Sequence, residues 1–240
     1  MIRISCVICA YNEAPRIQNI LDAVVHNPDL MEIIVVNDGS TDDTEKVLRA
    51  QKGITVISYP TNKGKTFALS QGIAAASGDL IMLIDADLSG LTTANISSLI
   101  LPVREGIADV SISLRRNSLW IYRLIGLDFV SGERVLPRAL LFEAVETMQQ
   151  LPRWGGEVFM NQHIVEQKMS IAVVRWQNVY NIRKFEKVGL PKGFAEEWKM
   201  IRDACEVLSV WGVVSQNLTL LRRKVPSKSF ARSPSVVSVE

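Results

Sequence analysis

Short apolar segments rich in β-branched residues alternate with segments of helical periodicity through the first half of the chain. The strands predicted from this pattern cover residues 2–9, 32–36, 54–58, 80–84 and 110–113. The helices predicted between them cover residues 14–25, 42–50, 65–77 and 92–104. Strands of four or five residues that are apolar throughout need helices on both faces of their sheet. The pattern therefore predicts the α/β class, as a three-layer αβα sandwich around a mostly parallel sheet.

The pattern is less regular in the second half, where it predicts a helix over 139–150, a strand over 171–176 and a long or broken amphipathic helix over 196–221. The apolar side chains that recur at helical spacing in this last segment are Trp198, Ile201, Cys205, Leu208 and Trp211. Residues 222–240 carry five Lys or Arg and a single acidic residue, which predicts a basic flexible tail. We therefore expect one domain over 1–221, with a regular half over 1–115 and a second half over 116–221.

The composition, with 48% hydrophobic and 22% charged residues, is that of a folded protein and excludes a mostly disordered binder. Residues 1–120 carry 10 Lys or Arg against 13 Asp or Glu, whereas residues 121–240 carry 17 against 12. A net charge of +2, without a basic block inside the folded part, is not typical of a nucleic-acid binder. Cys6 and Cys9 lie in one predicted buried strand, where alternation sends them to opposite faces. We expect structural thiols in a reducing compartment, not a metal or redox pair.

Acidic residues follow three of the predicted strands, at the edge of a parallel sheet where ligands bind. Asp85 and Asp87 come after five apolar residues, and such a pair is costly to bury unless a cation compensates it. Hard oxygen ligands suit Mg²⁺ or Mn²⁺, while a cap for the following turn is the alternative role of Asp87. Asp38 is a candidate acceptor for a base N–H group, with a turn or helix cap as its alternative role. Lys63 and Lys65 begin the next predicted helix, which suits a diphosphate.

Four motifs occur in order over residues 1–115: A-Y-N-E, V-V-N-D-G-S-T-D-D-T, N-K-G-K-T-F-A-L-S-Q-G-I and G-D-L-I-M-L-I-D-A-D. In this order they resemble the family 2 glycosyltransferases, whose fold is the Rossmann-like GT-A fold. The resemblance implies a UDP- or GDP-linked sugar donor, with Mg²⁺ or Mn²⁺ as cofactor. The nucleotide-sugar site that it implies consists of Tyr11, Glu13, Asp38, Lys65, Asp85 and Asp87. Asp85 and Asp87 would hold the metal, and Asp87 is the expected catalytic residue on the leaving diphosphate.

The second half contains candidates for the acceptor side. The segment S-G-E-R-V-L-P-R at 131–138 resembles the acceptor segment of the polyprenyl-phosphate and dolichyl-phosphate sugar synthases, which implies phosphate binding by Arg134 and Arg138. Glu157 ends the segment W-G-G-E, where saccharide-acceptor relatives have their general base; an ordinary glutamate at a helix start is the alternative. Arg175 and Trp176 lack the preceding Gln of the Q-x-x-R-W motif, so we do not expect a processive, cellulose-synthase-like role.

We expect an inverting hexosyltransferase that moves a sugar to a lipid-linked acceptor, such as a polyprenyl phosphate, at the cytoplasmic face of the membrane. The alternatives are a soluble transferase acting on a saccharide or small-molecule hydroxyl, and a noncatalytic nucleotide-binding module. The chain begins with no signal-peptide pattern, and the uncharged stretch 207–221 is shorter than the roughly 20 residues of a spanning helix. The expected location is cytoplasmic. The helix over 196–221 either docks with the tail on an anionic membrane or packs on its own domain.

Overall fold

The computed structural model describes residues 2–181, 202–203 and 206–226. In these residues a seven-stranded sheet forms the centre of the molecule, and a two-stranded sheet lies beside it. The strands of the large sheet are β1 (Ile4–Ala10), β2 (Glu32–Asp38), β3 (Thr55–Tyr59), β4 (Leu80–Asp85), β6 (Val110–Arg115), β7 (Arg134–Pro137) and β8 (Ile171–Trp176). The small sheet pairs β5 (Leu88–Ser89) with β9 (Tyr180–Asn181).

The order of strands in the large sheet is β3-β2-β1-β4-β7-β6-β8. Six strands are parallel, and β7 is antiparallel to its neighbours β4 and β6. The carboxyl ends of the six parallel strands and the amino end of β7 therefore lie at one edge of the sheet, here called the site edge. The segments after β1, β2, β4 and β6 all meet there, although they are far apart in the sequence.

Helices cover both faces of the large sheet. They are α1 (Ile17–Val25), α2 (Thr44–Ala50), α3 (Lys65–Ala75), α4 (Thr93–Arg104), α5 (Trp120–Ile125), α6 (Arg138–Phe142), α7 (Val145–Gln150), α8 (Gly156–Glu166) and α9 (Val210–Arg222). The helix predicted over 139–150 is in fact two short helices, α6 and α7. The sequence pattern did not predict β7, because a run of four residues that ends in a proline has little strand periodicity of its own.

Two apolar cores lie on the two faces of the sheet. Cys6 is buried in the core under α1, α2 and α4, while Cys9 packs against the core under α3, α6, α7 and α8. Alternation along β1 thus sends the two thiols to opposite faces, as predicted, and both are free. Burial raises the pKa of Cys6 to about 12, which suits a packing role. The two covered faces confirm the predicted three-layer architecture.

The C-terminal segment follows the second of its two predicted forms, a broken helix. The Ser209 hydroxyl accepts a hydrogen bond from the Gly212 amide and caps α9, so the helix expected over 196–221 is interrupted before Val210. Trp198, Ile201 and Cys205 of the predicted stripe lie outside the described residues.

One face of α9 packs on α8, where Leu220 is fully buried and the Gln216 amide donates to the Val158 carbonyl at 3.1 Å. The opposite face exposes Trp211, Val214 and Leu218. Arg222 ends α9, and the next residues pair with the start of β8, so residues 222–226 belong to the folded domain rather than to the predicted tail. Residues 227–240 lie outside the described part. None of the described helices is long and apolar enough to cross a bilayer.

Gly72 allows α3 to approach the sheet closely. A Cβ atom at this position would overlap Cγ1 of Val7 on the central strand β1 and lie 3.3 Å from Cγ2 of Val36. Gly72→Ala should therefore lower the free energy of unfolding by about 1–3 kcal/mol, despite the better helix propensity of alanine. Urea denaturation measures this effect. The control is Ala74→Ser on the exposed side of the same helix, and equal stability of the two variants would contradict the close packing.

Candidate active site

The loops after β1 and β2 are joined by hydrogen bonds at the site edge. The Asn12 amide donates to the Ser40 hydroxyl at 3.0 Å, and the Thr41 amide donates to the Asn12 side chain at 2.8 Å. Glu13 is buried and forms an ion pair with Arg16. These contacts hold the A-Y-N-E and N-D-G-S-T segments together, and Tyr11, which is 45% exposed, lies open to a ligand.

Asp38 ends β2 and organises the start of α3. Its carboxylate accepts hydrogen bonds from the Tyr59 hydroxyl at 2.9 Å, the Lys63 amide at 2.7 Å and the Gly64 amide at 2.9 Å. Burial, and then the Asp38 carboxylate, raise the pKa of Tyr59, so its hydroxyl remains a donor. Gly64 has a φ of +100°, and a side chain there would collide with Arg153. Asp38 thus shapes the loop that precedes Lys65, a role that local sequence patterns did not indicate.

Lys65 lies between two carboxylates from distant parts of the chain. Its Nζ atom is 2.7 Å from Asp85 Oδ1 and 2.7 Å from Glu157 Oε1. Burial alone lowers the pKa of Lys65, but the Asp85 and Glu157 carboxylates outweigh burial and raise it above its ordinary value. The lysine is therefore positively charged near neutral pH. Glu157, in the first turn of α8, faces this cluster instead of solvent and is buried.

Arg115 is a site residue that the sequence analysis missed. It ends β6 and is buried, with Nη1 2.9 Å from Glu133 and 3.9 Å from Asp85, and with Nη2 3.7 Å from Asp128. Burial alone lowers the pKa of Arg115. The surrounding carboxylates, Glu133 first, outweigh burial and raise this pKa above its ordinary value. The position was detectable, because Arg115 follows the predicted strand 110–113 just as Asp85 follows the strand 80–84.

The S-G-E-R segment packs directly against Asp85. A Cβ atom at Gly132 would overlap the Asp85 carboxylate, so only glycine fits at this position. Glu133 is fully buried and accepts hydrogen bonds from the hydroxyls of Ser113 and Ser131, both at 2.7 Å or less. Burial raises the pKa of Glu133, and Arg115 offsets only part of that rise. This segment therefore belongs to the surroundings of the Asp85 carboxylate.

The two arginines predicted to hold an acceptor phosphate are placed differently. Arg134 is fully buried, and its guanidinium donates to the Ser131 carbonyl and to the Asn161 side chain, so it supports the site edge from within the protein. Arg138 lies at the opposite edge, because β7 runs antiparallel from Arg134 to Pro137 and the Arg138 amide bonds to the Asp79 carbonyl. The structure does not bring Arg138 to the site, and this corrects the prediction.

The charges at the site edge suit a divalent cation. Three cations, the buried Arg115 and Arg134 and the partly exposed Lys65, interact with five carboxylates: Asp85, Asp87, Asp128, Glu133 and Glu157. When all are ionised, the cluster has an excess of two negative charges. The described residues contain no group of three or more His, Cys, Asp or Glu that could hold a metal ion by itself. A cation here would take oxygens of Asp85 and Asp87 and complete its shell with water and substrate phosphates.

An unsatisfied hydrogen-bond donor also lies at this edge. Within the described chain, Arg115 Nε is buried and has no hydrogen-bond partner. Buried donors are usually paired, so an acceptor such as a phosphate oxygen would complete this site. The cluster of charges and the unsatisfied Nε donor of Arg115 together define the candidate active site.

Residues 5–126 match the family model described as glycosyl transferase family 2. This match covers just over half of the chain, and the chain belongs to that family. It confirms the resemblance drawn from the four motifs.

Two curated relatives illustrate the similarity. A dolichyl-phosphate beta-glucosyltransferase of Trichomonas vaginalis is 31% identical in an alignment 150 positions long, and this alignment covers 51% of this chain and 44% of the relative. Glucosyl-3-phosphoglycerate synthase of Mycobacterium tuberculosis is 38% identical in an alignment 94 positions long, and this alignment covers 35% of this chain and 29% of the relative. The chain thus matches less than half the length of each of these relatives.

The fold is similar to that of solved structures. A crystal structure of the M. tuberculosis glucosyl-3-phosphoglycerate synthase, in complex with Mn²⁺, uridine diphosphate and phosphoglyceric acid, superposes with a TM-score of 0.68 at 26% identity. The superposition covers 87% of this chain and 79% of that one. The same enzyme was also solved with Mn²⁺ and UDP-glucose, and it superposes on 87% of this chain with a TM-score of 0.64. The predicted GT-A fold is confirmed.

Lys65→Met leaves the buried Glu157 carboxylate and the partly buried Asp85 carboxylate without the ammonium group that they share. Since an unpaired buried charge is costly, the free energy of unfolding should fall by about 3 kcal/mol at neutral pH. This loss of unfolding free energy should become smaller as the pH falls, because protonation neutralises the two unpaired carboxylates. Urea denaturation at several pH values measures this. Lys63→Met removes the same charge from an exposed position two residues away and should cost less than about 1 kcal/mol. Similar losses in both variants would refute the shared ion pair.

Proposed function

We propose that this chain is an inverting glycosyltransferase that uses a uridine diphosphate sugar together with Mg²⁺ or Mn²⁺. The observation that carries the proposal is the cluster of Lys65, Asp85 and Glu157 at the site edge of a family 2 fold. The neighbour crystallised with Mn²⁺ and uridine diphosphate supports the choice of nucleotide and metal. The intact Asp85 and Asp87 pair favours an enzyme over a noncatalytic nucleotide-binding module.

On the donor side, the proposed nucleotide site is formed by Tyr11, Glu13 and Asp38, at the ends of β1 and β2. Asp85 and Asp87 are the proposed metal ligands. A bound cation would neutralise the charge that builds on the leaving diphosphate. Arg115 lies 3.9 Å from Asp85, so its positive charge would help to stabilise the leaving diphosphate.

On the acceptor side, an oxygen atom attacks the anomeric carbon opposite the leaving diphosphate, which inverts the configuration. A phosphate acceptor is already an anion near neutral pH and needs no base, whereas a hydroxyl acceptor needs a carboxylate to take its proton. Glu157 is the proposed base for a hydroxyl acceptor, because its carboxylate and that of Asp85 contact the same nitrogen atom, Lys65 Nζ.

We favour a lipid-linked phosphate acceptor at the cytoplasmic membrane face. The dolichyl-phosphate beta-glucosyltransferase relative supports this choice. The outer face of α9 also supports it, since Trp211 is 81% and Leu218 53% exposed and both suit a bilayer surface. A soluble phosphorylated acceptor is the second candidate, favoured by the neighbour that was crystallised with phosphoglyceric acid.

Asp87→Ala should abolish sugar transfer, with a fall in kcat of at least about a hundredfold, because it removes a proposed metal ligand. It should also remove the part of uridine diphosphate affinity that depends on Mn²⁺, which calorimetry with and without the metal measures. The matched control is Asp79→Ala, since Asp79 precedes the same strand β4 at the opposite edge and pairs there with Arg3. Normal turnover of Asp87→Ala in the presence of Mn²⁺ would refute the metal assignment.

Glu157→Gln distinguishes the two acceptor classes. It keeps the size of the side chain but removes the carboxylate, so transfer to a hydroxyl acceptor should fall by about a hundredfold or more. Transfer to a polyprenyl phosphate should change only a few-fold, because no proton has to be removed from the acceptor. The measurement is kcat with each acceptor under saturating UDP-sugar. An equal loss with both acceptors would contradict a base role for Glu157.

A further inference from the structure

A second pocket, which shares no lining residue with the Lys65, Asp85 and Glu157 cluster, is lined by two cationic side chains. It has a volume of about 270 Å³ and lies between the end of α5, the strand β8 and the segment after α9. Its lining residues are Gly126, Val173, Arg175, Lys224, Val225 and Pro226. Gly126 ends α5 with a φ of +71°, and a Cβ atom there would lie 2.9 Å from Lys224 Nζ and 3.4 Å from Arg175 Nη2. Both cationic groups therefore converge on a residue that has no side chain.

The described part of the chain does not compensate the positive charge in this pocket. Among the described residues, no carboxylate lies within ion-pair distance of Arg175 or Lys224, unlike the paired cations of the active-site cluster. Lys224 Nζ donates to the carbonyl of Ile125 at 2.9 Å, which fixes the ammonium at the pocket wall. Burial, and then the charge of Arg175, lower the pKa of Lys224. An anion bound between the two groups would relieve their repulsion.

The helix that borders the pocket presents an apolar face to solvent. In α5 and the residue before it, Trp120 is 73% and Leu124 76% exposed, and Leu119 and Ile121 are also exposed. The inner side of α5 is packed, because the Tyr122 ring meets the Phe129 ring edge to face at 5.7 Å. An exposed tryptophan and leucine one turn apart, on a helix whose end contacts a lysine, are typical of a surface that docks on a lipid headgroup layer.

We propose that the Arg175 and Lys224 pocket binds the phosphate of an anionic lipid headgroup, while Trp120 and Leu124 of α5 enter the outer part of the same bilayer. The chemistry recognised is a phosphate group, held by an arginine fork and a lysine ammonium. Charge complementarity selects an anionic bilayer as the occupant, and each cation near such a surface adds to the binding. The proposal deepens the membrane-face part of the proposed function and assigns residues outside the transfer site.

Sedimentation with vesicles tests the proposal. The full chain is mixed with phosphatidylcholine vesicles that contain a minor fraction of phosphatidic acid, or with phosphatidylcholine alone. Arg175→Gln should weaken binding to the anionic vesicles about tenfold, since it removes a charged hydrogen-bond donor, and Arg175→Lys should recover part of it. Lys52→Gln is the matched control, because it removes one exposed positive charge next to β3, the strand farthest from β8 in the sheet. This control should bind nearly as well as the unchanged chain.

Three further measurements decide between the outcomes. Trp120→Ala should also weaken binding, and calorimetry with inorganic phosphate tests whether Arg175 recognises the free ion. Equal losses in Arg175→Gln and Lys52→Gln would overturn the pocket, because net charge alone would then explain binding. Phosphate binding that depends on Arg175, without an effect on vesicles, would overturn the lipid assignment. Uridine diphosphate affinity is measured in parallel, so that failure of the pocket and failure of the proposed transfer reaction can be told apart.

Discussion

The ammonium group of Lys65 joins two carboxylates that come from the two halves of the chain. Asp85 ends β4 in the first half, and Glu157 begins α8 in the second half, each 2.7 Å from the same nitrogen. Because the cluster is largely shielded from water, the shared cation offsets much of the cost of placing two carboxylates there. The start of α3, which Asp38 holds through two backbone amides, therefore sets the relation between the proposed donor and acceptor sides.

The antiparallel strand β7 explains how the second half reaches the site edge. It lies between β4 and β6, so the segment that precedes it passes directly over the end of β4. Gly132 allows this approach, and Glu133 meets Arg115 at 2.9 Å from the neighbouring strand. The excess of carboxylates in this cluster is costly in an empty site and favourable when a divalent cation is bound. The same residues thus have a structural role and a proposed functional one.

The apolar side chains that stay in solvent lie on helices whose other face is packed. α9 packs on α8 through Leu220 yet exposes Trp211, and α5 packs through Tyr122 yet exposes Trp120. The sequence analysis left packing on the domain and docking on a membrane as alternatives for the C-terminal stripe. The structure gives α9 one face for the domain and leaves the other available, so the two alternatives are compatible. Lys224, two residues after α9, contacts the end of α5 and connects these two surfaces.

The sequence by itself determined the strands β1 to β4, the helices between them, and the acidic residues at the strand ends. These features depend on local periodicity and on the rule that the carboxyl ends of parallel strands meet. Tertiary structure alone decided the position of β7, the burial of Arg115 and Glu133, and the separation of Arg134 from Arg138 to opposite edges of the sheet. Four residues with a terminal proline carry no reliable local signal, and their partners, Leu80 to Leu83, lie more than fifty positions away. The direction of such a strand is set by packing between distant segments, which no local pattern contains.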